Sequence, residues 1–478
     1  MQKKQELETM TKKLAPLSLA MVAMLAGCSM IPAYERPAAP VPTNYTATSV
    51  QTGAPLPSWR NYFSEPRLQQ LIELALDHNR DLRIASLNVE QARAQFQVRR
   101  AAQYPAVGLA ANASRAPASG SGDLTNSFSV GLAVTAWELD FFGRVASLKE
   151  QALAQYLASE EGRNAAQVSL ISAVANGWLT LLADEQLLEL SRQTLATREE
   201  SVRLTKLRLD SGAASELDYR QAESLTQAAR ATLAQQQRQR ALDENALALL
   251  LGQPLPEDIR ASLSRSDLRA APSMQAIPAG LPSDLLAQRP DIRQAEQQLV
   301  AANANIGAAR AAFFPRIALT AQAGTASGEL SGLFKNGSWG FTLAPSLLLP
   351  LFDAGANQAN LDSAQVGRKL AVAQYEKSIQ TAFREVSDAL ASQSTLTEQL
   401  DAQTKQAEAE AIRLNLADLR YKNGVASYLD LLDAQRSLFS TQQGVVQVRL
   451  GQLQNQVTLF KALGGGWDAQ TAPTTKAH

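Results

Sequence analysis

The sequence is poor in the side chains that build metal centres and disulfides. Its 478 residues include one cysteine and two histidines, and its formal net charge is zero. A single cysteine excludes an intrachain disulfide and a cysteine cluster, and His78 and His478 do not form a zinc motif. The balanced charge gives no reason to expect nucleic acid as a partner. We therefore expect no metal site, no cofactor and no enzyme activity.

Aromatic residues make up only 6% of the chain, and proline is missing from long stretches. No proline occurs from 143 to 209, which predicts a helix of about 100 Å. The uncharged stretch 164–183 contains several polar side chains, so we predict a buried bundle segment rather than a membrane helix. Apolar residues recur at every seventh position, which is typical of a coiled-coil-like seam: Val174, Leu181, Leu188, Leu195, Val202 and Leu209.

Most of the chain consists of two copies of one sequence pattern. The segment 208–218 returns at 420–430, and Tyr104-Pro105 returns at nearly the same separation as Phe314-Pro315. A nearly constant separation over this length predicts two structural repeats. The second seam is weaker because one position is polar; its residues are Val386, Gln393, Leu400, Ala407, Leu414 and Tyr421.

Each repeat also contains two short segments in which apolar and small or polar residues alternate. They lie near 107–113 and 128–135 in the first repeat, and near 317–324 and 339–344 in the second. Alternation with a turn-rich connection predicts a β-hairpin with one apolar face. Strands of about ten residues are long enough to cross a bilayer when tilted. Four strands cannot close a barrel, and an open edge in lipid would leave backbone groups without partners, so several chains must share the barrel.

The N-terminal segment has the features of a secretory signal. Lys12-Lys13 precede an apolar run that ends in Leu25-Ala-Gly-Cys28, and translation starts at either Met1 or Met10. The last four residues resemble the bacterial lipobox. This resemblance implies cleavage before Cys28 and attachment of lipid to it, and Ser29 after the cysteine favours the outer membrane. Residues 30–57 are rich in proline, alanine and threonine and predict an extended tether.

The two helix breaks near 211–215 and 423–427 have the same design. Ser215 with Asp218, and Ser427 with Asp430, have the spacing of a helix capping box, which gives both carboxylates a structural explanation. The second tip carries charges that the first lacks, because Gln221 and Ser224 are replaced there by Asp433 and Arg436. A surface ion pair and a functional cluster remain equally good interpretations of this pair. The whole second cluster is Arg420, Tyr421, Asp430, Asp433 and Arg436.

Several motifs resemble those of the TolC-type outer-membrane efflux factors, in particular the OprM-like lipoprotein branch. The matching motifs cover almost the whole mature chain. They are Trp59-Arg-Asn-Tyr-Phe63, Ala101-Ala-Gln-Tyr-Pro105, Trp137-Glu-Leu-Asp-Phe-Phe-Gly-Arg144, Leu281-Pro-Ser-Asp284, Arg289-Pro-Asp-Ile292, Ala308-Ala-Arg-Ala-Ala-Phe-Phe-Pro-Arg316, Leu432-Asp-Ala-Gln-Arg-Ser-Leu-Phe439 and Ala462-Leu-Gly-Gly-Gly-Trp467.

The resemblance implies a mostly α-helical chain with two repeats, whose four strands complete a 12-stranded barrel in a homotrimer. It implies a passive exit duct in the outer membrane of a Gram-negative bacterium, with a long periplasmic α-barrel. An inner-membrane pump, of the resistance-nodulation-division type, and a periplasmic adaptor would be its partners. The transported molecules would be drugs or other toxic small molecules; heavy-metal efflux or type I secretion is the alternative.

The resemblance also assigns residues to the tips. Asp433, Asp430, Arg436, Leu429, Arg420 and Tyr421 would form the periplasmic gate, in which three Asp433 side chains would favour cations. Adaptor contacts would fall on Ser211, Gly212, Ala213, Ala214, Ser215, Asn423, Gly424, Val425, Ala426 and Ser427.

The predicted domains follow from the repeats and the resemblance. They are a signal peptide (1–27), a lipid-anchored tether (28–58), a first repeat (59–253, with a hairpin at 105–137 and long helices at 144–250), an equatorial linker (254–282), a second repeat (283–465, with a hairpin at 315–350 and long helices at 356–463) and a C-terminal tail (466–478).

Two other classes of protein can be distinguished from a duct. An envelope enzyme would need a catalytic constellation, which we do not find in the sequence. A structural coiled-coil lipoprotein would lack the alternating strands.

Overall fold

The computed structural model describes residues 29–42, 45, 57–117, 124–263, 268, 274 and 288–465. Most of them are helical, and each repeat contains a helix region, a pair of strands and two long helices in that order. The predicted fold class is therefore confirmed at this level. Cys28 and the predicted signal peptide lie outside the described residues.

The first repeat begins with three helices and continues through two strands into two long helices. The proline-free run predicted to be one helix is one helix, of 67 residues. The elements are α1 (Trp59–Tyr62), α2 (Pro66–His78), α3 (Arg80–Ala101), β1 (Val107–Pro117), β2 (Leu124–Leu139), α4 (Arg144–Asp210) and α5 (Glu216–Leu251). A short helix, α6 (Glu257–Leu263), follows in the predicted linker.

The second repeat has the same order of elements, and its first long helix also has 67 residues. A 3₁₀ turn at Leu330–Gly332 lies between its strands. The elements are α7 (Pro290–Ala311), β3 (Arg316–Ser327), β4 (Trp339–Leu348), α8 (Ala356–Lys422) and α9 (Tyr428–Ala462).

The chain divides into two compact units. The first contains Leu87–Glu160, Gln294–Lys377 and the described residues up to Ala39. Its main feature is one antiparallel sheet in the order β1-β2-β3-β4. The register places Leu109 opposite Leu132, Leu132 opposite Ala323, and Ala323 opposite Phe341. These residues share one apolar face that crosses all four strands, as the alternation predicts.

The two β-hairpins are joined by the pairing of β2 with β3, and at one point of this pairing both strands have a glycine. Gly131 of β2 pairs with Gly324 of β3. A Cβ atom added to Gly131 would lie 2.4 Å from the Ala323 carbonyl oxygen, and one added to Gly324 would lie 2.2 Å from that of Val130. Only glycine permits this approach of the backbones. At the end of β2, Glu138 pairs with Arg144 at 2.5 Å and with Arg316 at 2.8 Å, which joins both hairpins to the start of α4.

Residues 30–36, here called the strap, belong to the predicted tether and lie along α7. Asn303 donates to the Pro32 carbonyl at 2.8 Å, and Arg36 pairs with Glu296 at 2.6 Å. Between these two helix positions the strap runs antiparallel to α7. A Cβ atom at Gly307 would lie 2.6 Å from Ile31 Cγ1, so the glycine admits the strap.

The second unit contains Pro40–Ser86, Glu161–Arg293 and Ser378–His478, and holds the largest hydrophobic core among the described residues. Trp178 of α4 is completely buried, and its indole nitrogen donates to Glu65 at 3.0 Å. Tyr62 stacks on Phe460 with ring centroids 4.2 Å apart. Helices of both repeats therefore share this core.

The predicted burial of the uncharged stretch 164–183 is confirmed. Helix α4 is long and apolar enough to cross a membrane, but most of its apolar window is buried within the protein. From 164 to 183 only Ser169 is exposed. Val174 and its equivalent Val386 are both fully buried, whereas Gln393, the polar interruption of the second seam, is exposed.

Candidate functional site at the helical tips

The two long helical hairpins turn at their tips with the same backbone geometry. In the first, the amide of Ala213 donates to the Arg208 carbonyl at 2.7 Å; in the second, the amide of Val425 donates to the Arg420 carbonyl at 2.9 Å. Both turns need one left-handed residue, supplied by Gly212 (φ 73°) and Gly424 (φ 72°). This is the Schellman motif, in which a glycine ends a helix and satisfies its last carbonyl groups.

Each return helix starts with a complete capping box. Asp218 donates its amide to the Ser215 hydroxyl oxygen at 3.1 Å, and its carboxylate accepts from the Ser215 amide at 3.2 Å. Ser427 and Asp430 repeat this arrangement at 3.2 and 3.1 Å. The interpretation of both aspartates as capping carboxylates is confirmed. Asp430 therefore uses its carboxylate on the backbone of its own helix.

Below the tips, the two hairpins pack against each other through a small apolar cluster, here called the tip cluster. Tyr421, a predicted gate residue, joins its edge, and its ring centroid lies 5.3 Å from that of Tyr428. Burial raises the pKa of Tyr428, so this side chain stays neutral. The buried members of the tip cluster are Ala222, Tyr428, Leu431 and Leu432.

Two arginines of the first hairpin contact the second hairpin beside the tip cluster. The guanidinium of Arg208 lies 4.9 Å from the centroid of the Tyr421 ring, a cation–π contact. Arg198 is 5% exposed and donates to the Gln435 side chain. No carboxylate of the described residues forms an ion pair with Arg198, and burial lowers the pKa of its guanidinium. The contact between hairpins thus includes a buried positive charge.

Asp433 lies in a chain of charges on the second hairpin. Its carboxylate accepts a hydrogen bond from Arg413 of α8, and its other oxygen lies 3.5 Å from Arg436. Arg413 also pairs with Glu410 at 3.1 Å and donates to the Ser437 hydroxyl at 3.3 Å. The side chains of Arg413 and Asp433 are 46% and 48% exposed. The surface pair predicted from the Asp433–Arg436 spacing is present, and Arg413 is a second partner from the neighbouring helix.

The other predicted tip residues are mostly exposed. Leu429, Arg420 and Arg436 point to solvent, and Leu429 is 55% exposed. Ala214 and Ala426 of the predicted adaptor contacts are half-buried. The exposed members of that set are Ser211, Gly212, Ala213, Ser215, Asn423, Gly424, Val425 and Ser427.

Sequence reasoning missed Arg413, Glu410, Arg198 and Arg208. A signal was present for Arg413. Residues at similar distances from the turn of an antiparallel helical hairpin lie side by side, and Arg413 and Asp433 lie at similar distances on either side of Gly424. The position of Arg198 depends on how two hairpins pack, for which the sequence gives no comparable rule.

Comparison with known proteins relates the whole chain to outer-membrane efflux proteins. The family model described as "Outer membrane efflux protein" matches residues 71–253 and 281–465. One matched segment falls on each copy of the duplicated sequence, so the family match follows the two repeats.

The individual relatives match over nearly their full lengths. The chain is 47% identical to an antibiotic efflux pump outer membrane protein, ArpC, of Pseudomonas putida, over 97% of each chain. It is 44% identical to the outer membrane protein OprJ of Pseudomonas aeruginosa, over 96% of this chain and 97% of that one. The crystal structure of the open state of the Neisseria gonorrhoeae MtrE outer membrane channel is similar at a TM-score of 0.83 and 42% identity, over 92% of this chain and 98% of that one.

Proposed function

The chain belongs to the outer membrane efflux protein family, and on that premise we propose that three copies close into one passive exit duct. The chain itself is an outer-membrane channel component of an efflux pump, as its relatives are. Its relatives include the outer membrane proteins of an antibiotic efflux pump and of a toluene efflux pump. We propose drugs and other toxic small molecules of this kind as the transported molecules.

The unpaired edges of the sheet are the observation that supports this proposal most directly. Among the described residues, β1 pairs only with β2, and β4 pairs only with β3. Both edges carry backbone donors and acceptors that have no partner in lipid. Joining β4 of one copy to β1 of the next satisfies them. Three copies then supply twelve strands, enough for a barrel with a lumen, whereas two would supply eight and a filled interior.

The apolar face of the sheet would face the lipid. Trp339, Phe341 and Leu343 are each at least 60% exposed. On the opposite face the same strand presents Gly340, Thr342 and Ala344. Small and polar residues on that face would line a water-filled lumen.

We further propose that the helical tips form the periplasmic gate. Asp433, Arg436, Leu429, Arg420 and Tyr421 belong to the gate, and Asp430 contributes to it through the cap that fixes the start of α9. The exposed turns at 211–215 and 423–427 would contact a periplasmic adaptor. The adaptor would connect the duct to an inner-membrane pump of the resistance-nodulation-division type.

The signal peptide and Cys28, which lie outside the described residues, and the partly described linker complete the proposal. Residues 1–27 would be a signal peptide, and Cys28 would carry the lipid of the outer-membrane anchor. The linker 254–282 would form part of an equatorial belt.

The proposal is tested by the mass and conductance of the purified protein. Native mass spectrometry should give three copies of the chain, and planar bilayers should show discrete conductance steps. Asp433→Ala should raise the conductance of the closed state and the sensitivity of cells to large antibiotics such as vancomycin. A particle of one or two copies, or a wild-type protein and an Asp433→Ala variant that both fail to conduct, would overturn the proposal.

A matched pair of substitutions tests the orientation of the sheet. Leu343→Arg places a charge on the lipid side of β4 and should destabilise the inserted barrel by about 2–4 kcal/mol. Thr342→Arg, at the adjacent position, places the same charge in the lumen and should leave the inserted trimer intact. The measurement is the yield of trimer in outer-membrane fractions. Equal loss in both variants would contradict the assignment of the faces.

A further inference from the structure

Arg413 contacts the proposed gate but is not one of the residues assigned to it. It reaches from α8 to the carboxylate of Asp433 on α9, while Glu410 and Ser437 hold its Nη1 atom at 3.1 and 3.3 Å. Both nitrogens at the end of its side chain are therefore engaged. A guanidinium held in this way is an oriented partner and not a mobile surface charge.

The second hairpin alone has this arrangement. At the equivalent positions of the duplication, the first hairpin has Ser201 in place of Arg413, Gln221 in place of Asp433 and Ser224 in place of Arg436. No ion pair can form among these three side chains. The duplication and the folding of the hairpin therefore do not require Arg413.

The charges around Asp433 balance. Glu410 and Asp433 are each paired with Arg413, and Arg436 lies 3.5 Å from Asp433. Two carboxylates and two guanidinium groups leave no net charge in each chain. A ring of three such clusters would not attract cations in the way that three free carboxylates would.

We propose that Arg413 determines the ion selectivity of the duct at its periplasmic tip by pairing with Asp433. This inference rests on the proposed function, because it needs a conducting trimer with Asp433 at its gate. With Arg413 in place the constriction discriminates weakly between small cations and anions. Without it, each copy exposes a carboxylate that favours cations. Arg436 has a smaller part, because its contact with Asp433 is long, at 3.5 Å, and its side chain is more exposed than that of Arg413.

The experiment measures the reversal potential of the trimer in planar bilayers under a potassium chloride gradient. Arg413→Gln should raise the ratio of cation to anion permeability about five-fold, the effect expected for a carboxylate that attracts an ion at close range in water. Arg436→Gln should raise it less. Asp433→Asn should lower the ratio, and Arg413→Gln should have a clearly smaller effect in the Asp433→Asn background.

Arg203→Gln is the matched control. Arg203 is an exposed arginine on α4 that pairs with Glu200 at 2.7 Å, so its loss removes the same charge from the first hairpin. It should not change the permeability ratio. Trimer yield and melting temperature, measured for every variant, identify any loss of folding.

The outcomes separate this inference from the proposed function. A wild-type protein and an Asp433→Ala variant that both fail to conduct overturn the duct itself. A conducting wild type whose ratio changes in Asp433→Asn but not in Arg413→Gln keeps the gate and overturns the role of Arg413. An Arg413→Gln effect of the same size in the Asp433→Asn background also overturns it, because the arginine would then act without Asp433.

Discussion

The first and second helical hairpins share their backbone design and differ in their side chains. Both turn on a left-handed glycine, and both return helices begin with the same capping box. Their cores differ, since Trp178 of the first hairpin corresponds to Leu390 of the second. Their charges differ as well, since the ion-pair chain around Asp433 has no counterpart at Gln221. Turns and caps are the same in both copies because they depend on a few neighbouring residues. Core and charged residues differ because each copy has different surroundings.

The largest expected difference between the hairpins lies in the core. Trp178→Ala should destabilise the protein by about 3–5 kcal/mol. It also removes the indole donor of Glu65, which keeps its ion pair with Arg67 at 2.7 Å. Leu390→Ala should cost about 2 kcal/mol, because Leu390 lies in a smaller cluster and is 9% exposed. Chemical unfolding in detergent measures both. Equal losses would show that the two copies support the fold alike.

A second expected difference is a pH dependence confined to the first hairpin. Burial, followed by a hydrogen bond and repulsion from Asp243, raises the pKa of Asp184 to about 7, and Arg240 opposes this shift. The equivalent residues of the second hairpin, Leu396 and Asn455, do not titrate.

Because the pKa of Asp184 is higher in the folded state than in the unfolded state, protonation stabilises the fold. This contribution is fully present below about pH 4 and is lost as the pH rises through about 7. Wild-type protein should therefore lose roughly 1–3 kcal/mol more stability than Asp184→Asn between pH 5 and 8. Thermal unfolding at both pH values measures the effect. Parallel pH profiles for the two proteins would contradict the raised pKa.

The smallest effects should be equal in the two hairpins. Ser215→Ala and Ser427→Ala each remove one capping hydroxyl and should each destabilise the protein by about 1 kcal/mol. Hydrogen exchange of the amides at the starts of α5 and α9 detects the loss at each site. A loss that differed greatly between the two would show that the tips depend on their surroundings and not only on local geometry.

These differences also show what the sequence could predict. The long helices, the strands and both capping boxes follow from local patterns, so they were predicted together with the apolar face of the sheet. To predict the ion pair of Arg413 with Asp433, one must know the register of the two helices. To predict the burial of Arg198, one must know how the two helical hairpins pack. Gly307 is an isolated glycine in a helical pattern, and the strap and Ser147, which both pack against it, explain its presence. The gate residues were identified by the difference between the copies and by resemblance, and their role remains a prediction.

The equal length of α4 and α8 restricts how such a chain can change. Removing one residue from a helix turns everything beyond it by about 100° and shifts it by about 1.5 Å. A deletion in α8 between Arg413 and the turn at Gly424 would thus rotate the guanidinium away from Asp433, although the hydrogen bonds within the helix would be kept. Insertions and deletions should therefore be tolerated in the strand connections, and within these two long helices only in multiples that restore the heptad phase.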